Sequence, residues 1–325
     1  NIFFCNTRYQ LNISIRIFEY CNFSNAYFFV SDEAFGKINN PHIPDGVEIC
    51  VLPKLNQKRG FLESRNWIIS TLNALSDFDK KSVRLCLAND DHIFAQLLLS
   101  NFSINEVFLF EDGLGSYIQK GNLFNSGFKI LLSRLKKILF FFPHYRALNF
   151  YGKNVLANKC FSYHKGPFPH QPNVERIVLD RENIENPIIE LDNNSLIVVG
   201  QPIVELGFVS AFDYLEMISN AISHISHIKK INKIFYKPHP LEKIKKRLPD
   251  DFFLLESAIN IEDLINSSDE TNISFIGFYS TALINIAESN KANDVFFIRS
   301  RKIKLKNRER IYNLLASSGC MPLDY

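Results

Sequence analysis

Short apolar runs alternate with segments of helical period along almost the whole chain, and this alternation restricts the fold more than any other feature. Apolar, β-branched and aromatic runs predict strands at residues 2–5, 26–30, 47–52, 83–87, 106–110 and 147–151. Between them, helical spacing falls at 8–20, 62–75, 92–100 and 127–141. A βαβα rhythm sustained over about 150 residues argues for a parallel sheet covered on both faces. A Pro-rich stretch at 166–172 and an acidic one at 180–192 then interrupt the rhythm and read as an inter-domain region. The alternation resumes with strands at 195–199, 233–236, 252–255, 272–276 and 294–298, and helices at 211–225, 261–265 and 280–289. In the 211–225 helix, Leu215, Ile218, Ile222 and Ile225 form one stripe suited to packing on a sheet. The expected fold class is α/β: two Rossmann-like domains, 1–165 and 166–325, facing a central cleft in the GT-B manner. A chain of 325 residues is long enough for both.

Composition excludes several classes of function. The net charge of +3 is too small to argue for nucleic acid, and no nucleic-acid motif is present. Six cysteines are scattered without metal-like spacing, so they read as buried thiols in a reducing cytosol. No motif proposes a metal site. No apolar run approaches the ~18 residues needed to span a bilayer. The chain runs from Asn1 straight into a strand, without a signal-peptide pattern, and the missing Met suggests that a few residues or an anchor precede it. Thirty phenylalanines with abundant Ile, Asn and Lys fit a low-GC genome better than a function.

Polar residues at three strand ends carry the candidate chemistry. The run 106–110 stops at Glu111 and Asp112, followed by Gly113 and Gly115. Acids at the carboxyl edge of an open α/β sheet lie where such sheets bind ligands. A carboxylate there can act as general base, or the stretch is an acidic turn; these residues alone weight both readings evenly. At the second edge His239 stands between Pro238 and Pro240, two residues after Lys237. The prolines restrain its backbone, and an imidazole so held can donate to a phosphate oxygen. At the third, Ser280 and Thr281 open a helix whose free N–H groups suit an anion, although a plain capping serine fits equally. Glu262 can accept ribose hydroxyls, with an exposed acid at a helix start as the stronger rival. Two basic stretches, 133–142 and 299–310, read as solvated faces; the first, rich in Phe, also suits a membrane interface or a partner subunit.

With these residues in view, the chain resembles the bacterial lipooligosaccharide sialyltransferases of glycosyltransferase family 52. Residues 1–10 are similar to the opening strand and polar loop, and 110–119 to the acid-acid-Gly motif. Residues 197–202 resemble the first strand and loop of the second domain, 237–240 the His-Pro motif, and 278–283 the serine motif. The acid and His-Pro motifs also occur in multifunctional and polysialyl bacterial sialyltransferases. The resemblance implies inverting transfer of sialic acid from CMP-sialic acid to a hydroxyl, usually of terminal galactose, on a surface glycan such as lipooligosaccharide or capsule. It implies no cofactor and no metal.

By matching motif, His239 would serve the departing CMP phosphate. Ser280 and Thr281 would bind that phosphate, with Gly200, Gln201 and Pro240 lining the nucleotide loops. Lys237 and Glu262 would lie near cytosine and ribose, and Asp112 would be the base with Glu111 beside it. An aspartate that follows the Gly-x-Pro loop in some members is Ile203 here, which leaves Glu205 as the nearest rival base. A homodimer, a cytoplasmic location and a peripheral contact with the inner face of the inner membrane are further expectations. The alternatives are a related transferase with another nucleotide sugar, a polysialyl chain extender, or a glycan-binding protein on a decayed transferase fold.

Overall fold

The computed structural model describes residues 1–31, 43–52, 82–90, 92–113, 115–117, 156–163, 168, 171, 173–180, 191–239, 242, 248–249, 251–255, 261, 272–288, 294–305 and 308–325. The chain forms two compact units, Asn1–Arg181 and Glu182–Tyr325.

In the first unit β1 (Ile2–Cys5), β2 (Ala26–Ser31), β3 (Val47–Leu52), β4 (Val83–Leu87), β5 (Ile104–Phe110), β6 (Lys159–Ser162) and β7 (Glu175–Val178) make one sheet. Its order is β3-β2-β1-β4-β5-β6-β7, and every pairing is parallel. Successive side chains on a strand point to opposite faces. Phe3 and Phe4 therefore enter different cores, one with Phe28, Phe108 and Phe161, the other with Phe29, Phe94 and Leu109. Helix α1 (Arg8–Tyr20) starts where the Thr7 hydroxyl caps the Gln10 N–H at 3.2 Å, and it buries Gln10, Leu11, Ser14, Ile17 and Phe18 along one face. Helix α2 (Ile93–Asn101) links β4 to β5.

The second unit holds β8 (Ser195–Val199), β9 (Lys233–Lys237), β10 (Phe252–Leu254), β11 (Ser274–Gly277), β12 (Val295–Arg299) and β13 (Met321–Asp324). They follow the order β10-β9-β8-β11-β12-β13, again all parallel. Helices α3 (Ala211–Ile228), α4 (Thr281–Ala287) and α5 (Arg308–Ser317) connect them. In both sheets the order runs 3-2-1-4-5-6 from the unit's first strand, the Rossmann arrangement. Connections leave β1 and β4, and likewise β8 and β11, toward opposite sides, which opens a crevice at the strand carboxyl ends of each sheet.

Several expectations need adjustment. The stretch read as inter-domain supplies β7, so residues 175–178 complete the first sheet. The buried face of α3 is rotated: Tyr214, Met217, Ile218, Ala221 and Ile225 are buried, whereas Leu215 and Ile222 only flank it. Strands β6 and β13 and helix α5 were not expected. The readings at 62–75, 127–141 and 147–151 lie outside the described residues.

Leu196, fully buried in β8 at the centre of the second sheet, should be costly to truncate. Leu196→Ala is expected to lose about 2–5 kcal/mol of stability, read as a lower urea midpoint for this unit's transition; an unchanged midpoint would refute the central placement.

Candidate active site

Strand β5 delivers Glu111 and Asp112 to the carboxyl edge of the first sheet, and the two acids have opposite fates. Glu111 is completely buried. The Tyr9 hydroxyl from α1 donates to its Oε1, the Tyr117 hydroxyl to its Oε2, and its own N–H donates to Phe161 O at 3.1 Å. With both oxygens engaged by neighbouring side chains, Glu111 holds the strand end together rather than presenting a free base. Asp112 is half-buried. Its N–H donates to Ser116 Oγ at 2.7 Å, and the Gln10 side-chain N–H donates to its Oδ1. The other end of the Gln10 amide accepts from Asn6 N–H at 2.6 Å, so the carboxylate is tied to the loop leaving β1. Burial pushes the Asp112 pKa up to about 6, and the Gln10 bond partly opposes that rise. The chain turns away at Gly113, whose φ of +75° favours glycine. Tyr9 and Gln10 went unread in the sequence, because an aromatic or amide on a helix carries no sign of a partner 102 residues away, and Tyr117, six residues from Glu111, because only the turn at Gly113 brings it back to the acid.

The carboxyl edge of the second sheet gathers Gly200, Gln201, Lys237, His239 and Ser280. The Gly200 N–H donates to Lys237 O at 2.9 Å, joining the loops after β8 and β9. Across the switch point the Gln201 amide grips Tyr279 from both sides: its Oε1 accepts from Tyr279 N–H at 2.9 Å and its Nε2 donates to Tyr279 O. The side chain expected to meet a nucleotide thus orients the residue before Ser280.

Ser280 caps α4, its hydroxyl accepting from Ala282 N–H at 3.2 Å, and Thr281 follows half-buried. Lys237 is buried and His239 half-buried. The His239 pKa lies below its ordinary value, first through burial and then through the Lys237 charge, while Glu205 pulls it upward. Glu205 is exposed on the turn after β8, near enough to His239 to act on it through its charge. Ile203, at the position where the resemblance expected an acid, is wholly buried.

Under His239 lies a polar group that the sequence reading missed: Glu242 with Tyr214 and Tyr236, all buried. Pro240 and Glu262 lie outside the described residues, as does the basic stretch 133–142. The other basic stretch is an ion-paired face where described. Arg299 pairs with Asp324, and Lys302 with Asp213 at 3.0 Å and Glu216 at 2.7 Å. All six cysteines are free thiols, and burial pushes Cys5, Cys160 and Cys320 up to about 12. Among the described residues no helix is long and apolar enough to cross a membrane.

Two Rossmann-type units with polar groups gathered at their sheet edges define a GT-B-like α/β protein. Solved structures of similar fold include an alpha/beta-galactoside alpha-2,3-sialyltransferase from Photobacterium phosphoreum. It has a TM-score of 0.51 and 10% identity, over 99% of this chain and 97% of that one. The UDP-GlcNAc 2-epimerase of Neisseria meningitidis is similar at a TM-score of 0.52 and 11% identity, over 97% and 89%. Identity this low speaks for the fold alone.

The alpha-2,8-polysialyltransferase (POLYST) family matches residues 52–296, and the chain belongs to that family. Among curated proteins it is 25% identical over 232 residues to an N-acetyllactosaminide alpha-2,3-sialyltransferase of Haemophilus influenzae. That alignment takes in 69% of this chain and 65% of the relative's length.

The raised pKa of Asp112 has a consequence for stability. A folded pKa of about 6 against an ordinary value of 3.8 means that the native state binds this proton more tightly than the unfolded chain. Its ionisation therefore lowers stability as pH rises between those values, and the full loss is present above about 6. Asp112→Asn should melt at or above the wild-type temperature at pH 7.5, with the difference vanishing near pH 4; a lower melting temperature at pH 7.5 would argue against a desolvated carboxylate.

Proposed function

We propose that the protein is an inverting sialyltransferase that moves sialic acid from CMP-sialic acid to a hydroxyl of a bacterial surface glycan, such as lipooligosaccharide or capsule. The observation that carries this reading is the family match, because the matched stretch contains Asp112, His239 and Ser280, each at the carboxyl end of a parallel strand. Asp112 takes the proton of the acceptor hydroxyl as its oxygen bonds to the anomeric carbon. The bond from that carbon to the CMP phosphate oxygen breaks, and the electron pair leaves with the phosphate. His239, neutral at pH 7 because its pKa is depressed, supplies an N–H to the phosphate oxygen that gains charge.

Lys237 adds a positive charge beside it, and Ser280 and Thr281 supply hydroxyl and N–H groups. Gly200 and Gln201 shape the nucleotide loop. Protein donors meet the developing charge, so no metal is needed in this reading. Glu205, exposed and close to His239, remains the alternative base. A homodimer and a contact between residues 133–142 and the inner face of the membrane belong to the same reading, supported by the basic, Phe-rich character of that stretch.

Two acceptors have specific support. The Haemophilus relative favours terminal galactose and an alpha-2,3 linkage, whereas the family description favours a sialic acid end and chain extension. Incubation with CMP-sialic acid and either a lactosaminide or an oligosialic primer, followed by mass spectrometry, separates them. UDP- and GDP-sugars in parallel test the donor; transfer from one of these and none from CMP-sialic acid would overturn the assignment.

His239→Ala should lose about 3 kcal/mol of transition-state stabilisation, roughly a hundredfold in kcat, with its circular dichroism unchanged. Wild-type turnover in that variant would remove His239 from the chemistry. The pH profile of kcat/KM should fall on the acid side with a midpoint of about 6, as Asp112 is protonated. Gln10→Leu removes a donor that favours the ionised carboxylate, so that limb should move to higher pH. An unmoved limb would point to a different titrating base.

A further inference from the structure

We propose that Glu242 is a positioning residue that fixes His239 from below, through a buried pedestal it forms with Tyr214, Tyr236 and Gly200. Glu242 holds the His239 backbone at both ends: its Oε2 accepts from His239 N–H at 3.1 Å, and its own N–H donates to His239 O at 2.9 Å. The opposite oxygen, Oε1, accepts from Tyr214 Oη at 2.9 Å and from the Tyr236 hydroxyl, and the two hydroxyls lie 2.8 Å apart. These partners come from α3 and β9, so the carboxylate is anchored to rigid elements on one side and to the His-Pro turn on the other. Tyr214 is itself held from above, since Phe278 stacks on its ring at 5.0 Å between centroids.

The pedestal explains Gly200. A Cβ there would run into the Glu242 carboxylate and sit 2.7 Å from the Tyr236 hydroxyl. Only the absence of a side chain lets the loop after β8 pass over the group. Glu242 is 5% exposed, so it cannot itself reach a substrate; it acts through the turn that carries the imidazole.

Hydroxyls both donate and accept, so a glutamine can turn its amide, accept from His239 N–H through Oε1 and donate to the tyrosines through Nε2. Leucine removes the side-chain half of the grip, the bond from His239 N–H and those from the tyrosines, and leaves only the backbone bond to His239 O. Misplacement of a reacting group by about 1 Å costs on the order of a hundredfold in rate. The inference uses the sialyl-transfer reading only for its kinetic arm.

The experiment compares the full chain as wild type, E242Q, E242L, H239A and E242L/H239A. It measures kcat and KM with CMP-sialic acid, and the His239 C2–H resonance in protein carrying labelled histidine. The expected result is a large fall in kcat for E242L with KM little changed, rescue in E242Q, and no further loss when E242L is added to H239A. The His239 resonance, identified by its disappearance in H239A, should shift in E242L and stay near the wild-type position in E242Q. Multiplied losses in the double variant, or a His239 resonance unmoved in E242L, would overturn the assignment. Should E242L not fold, Tyr236→Phe takes its place, with a displaced His239 resonance expected and an unmoved one overturning it. A wild-type protein inactive on CMP-sialic acid would defeat the sialyl-transfer reading alone, and the resonance would still decide the role of Glu242.

Discussion

A carboxylate buried beneath two tyrosine hydroxyls holds each candidate catalytic loop in place. In the first unit Glu111 lies between Tyr9 and Tyr117; in the second Glu242 lies between Tyr214 and Tyr236. Removing a carboxylate from water is expensive unless its oxygens find donors. Hydrogen bonds to an ionised acceptor are the strong kind, and a satisfied group of this sort has few other geometries open to it. Each arrangement fixes the neighbouring polar residue, Asp112 in one case and His239 in the other. The two adjacent acids differ in setting: both Glu111 oxygens are engaged by tyrosine hydroxyls, whereas Asp112, with its pKa raised to about 6, is the acid that the proposed reaction uses for proton transfer.

These braces work because the sheets around them are rigid. Parallel strands buried on both faces bring phenylalanines such as Phe3, Phe4, Phe275 and Phe297 to nearly zero exposure, and the strand order sends neighbouring loops apart at β1/β4 and β8/β11. The Gln201 amide then ties one of those loops to the other across the second switch point. The same architecture serves a sialyltransferase and an epimerase among the solved structures, so the fold marks where ligands bind and leaves the reaction to the residues at the edge.

Much of the fold was legible because burial on both faces writes itself locally. A run such as Ser195–Val199 or Val83–Leu87 needs no partner to be recognised as a strand, and the observed bounds there match the expected ones. Strand β7 and strand β13 escaped notice because they lie at sheet edges, alternate with exposed polar residues and, in β13, include Pro322. The face of α3 was misjudged by one position because Tyr214 and Met217 are core residues only through what packs on them.

The amino-acid sequence by itself determined the α/β alternation, the strand ends that carry Asp112, His239 and Ser280, and the motif order by which the chain resembles bacterial sialyltransferases. These are short-range properties, carried by runs of five to ten residues. Tertiary structure alone decided which acid is buried, what Gln10 and Gln201 hold, and that Glu242 stands under His239. Each of those outcomes depends on a hydroxyl, amide or backbone N–H brought in by another element, from as far as 102 residues away, and periodicity along a chain does not record the partner.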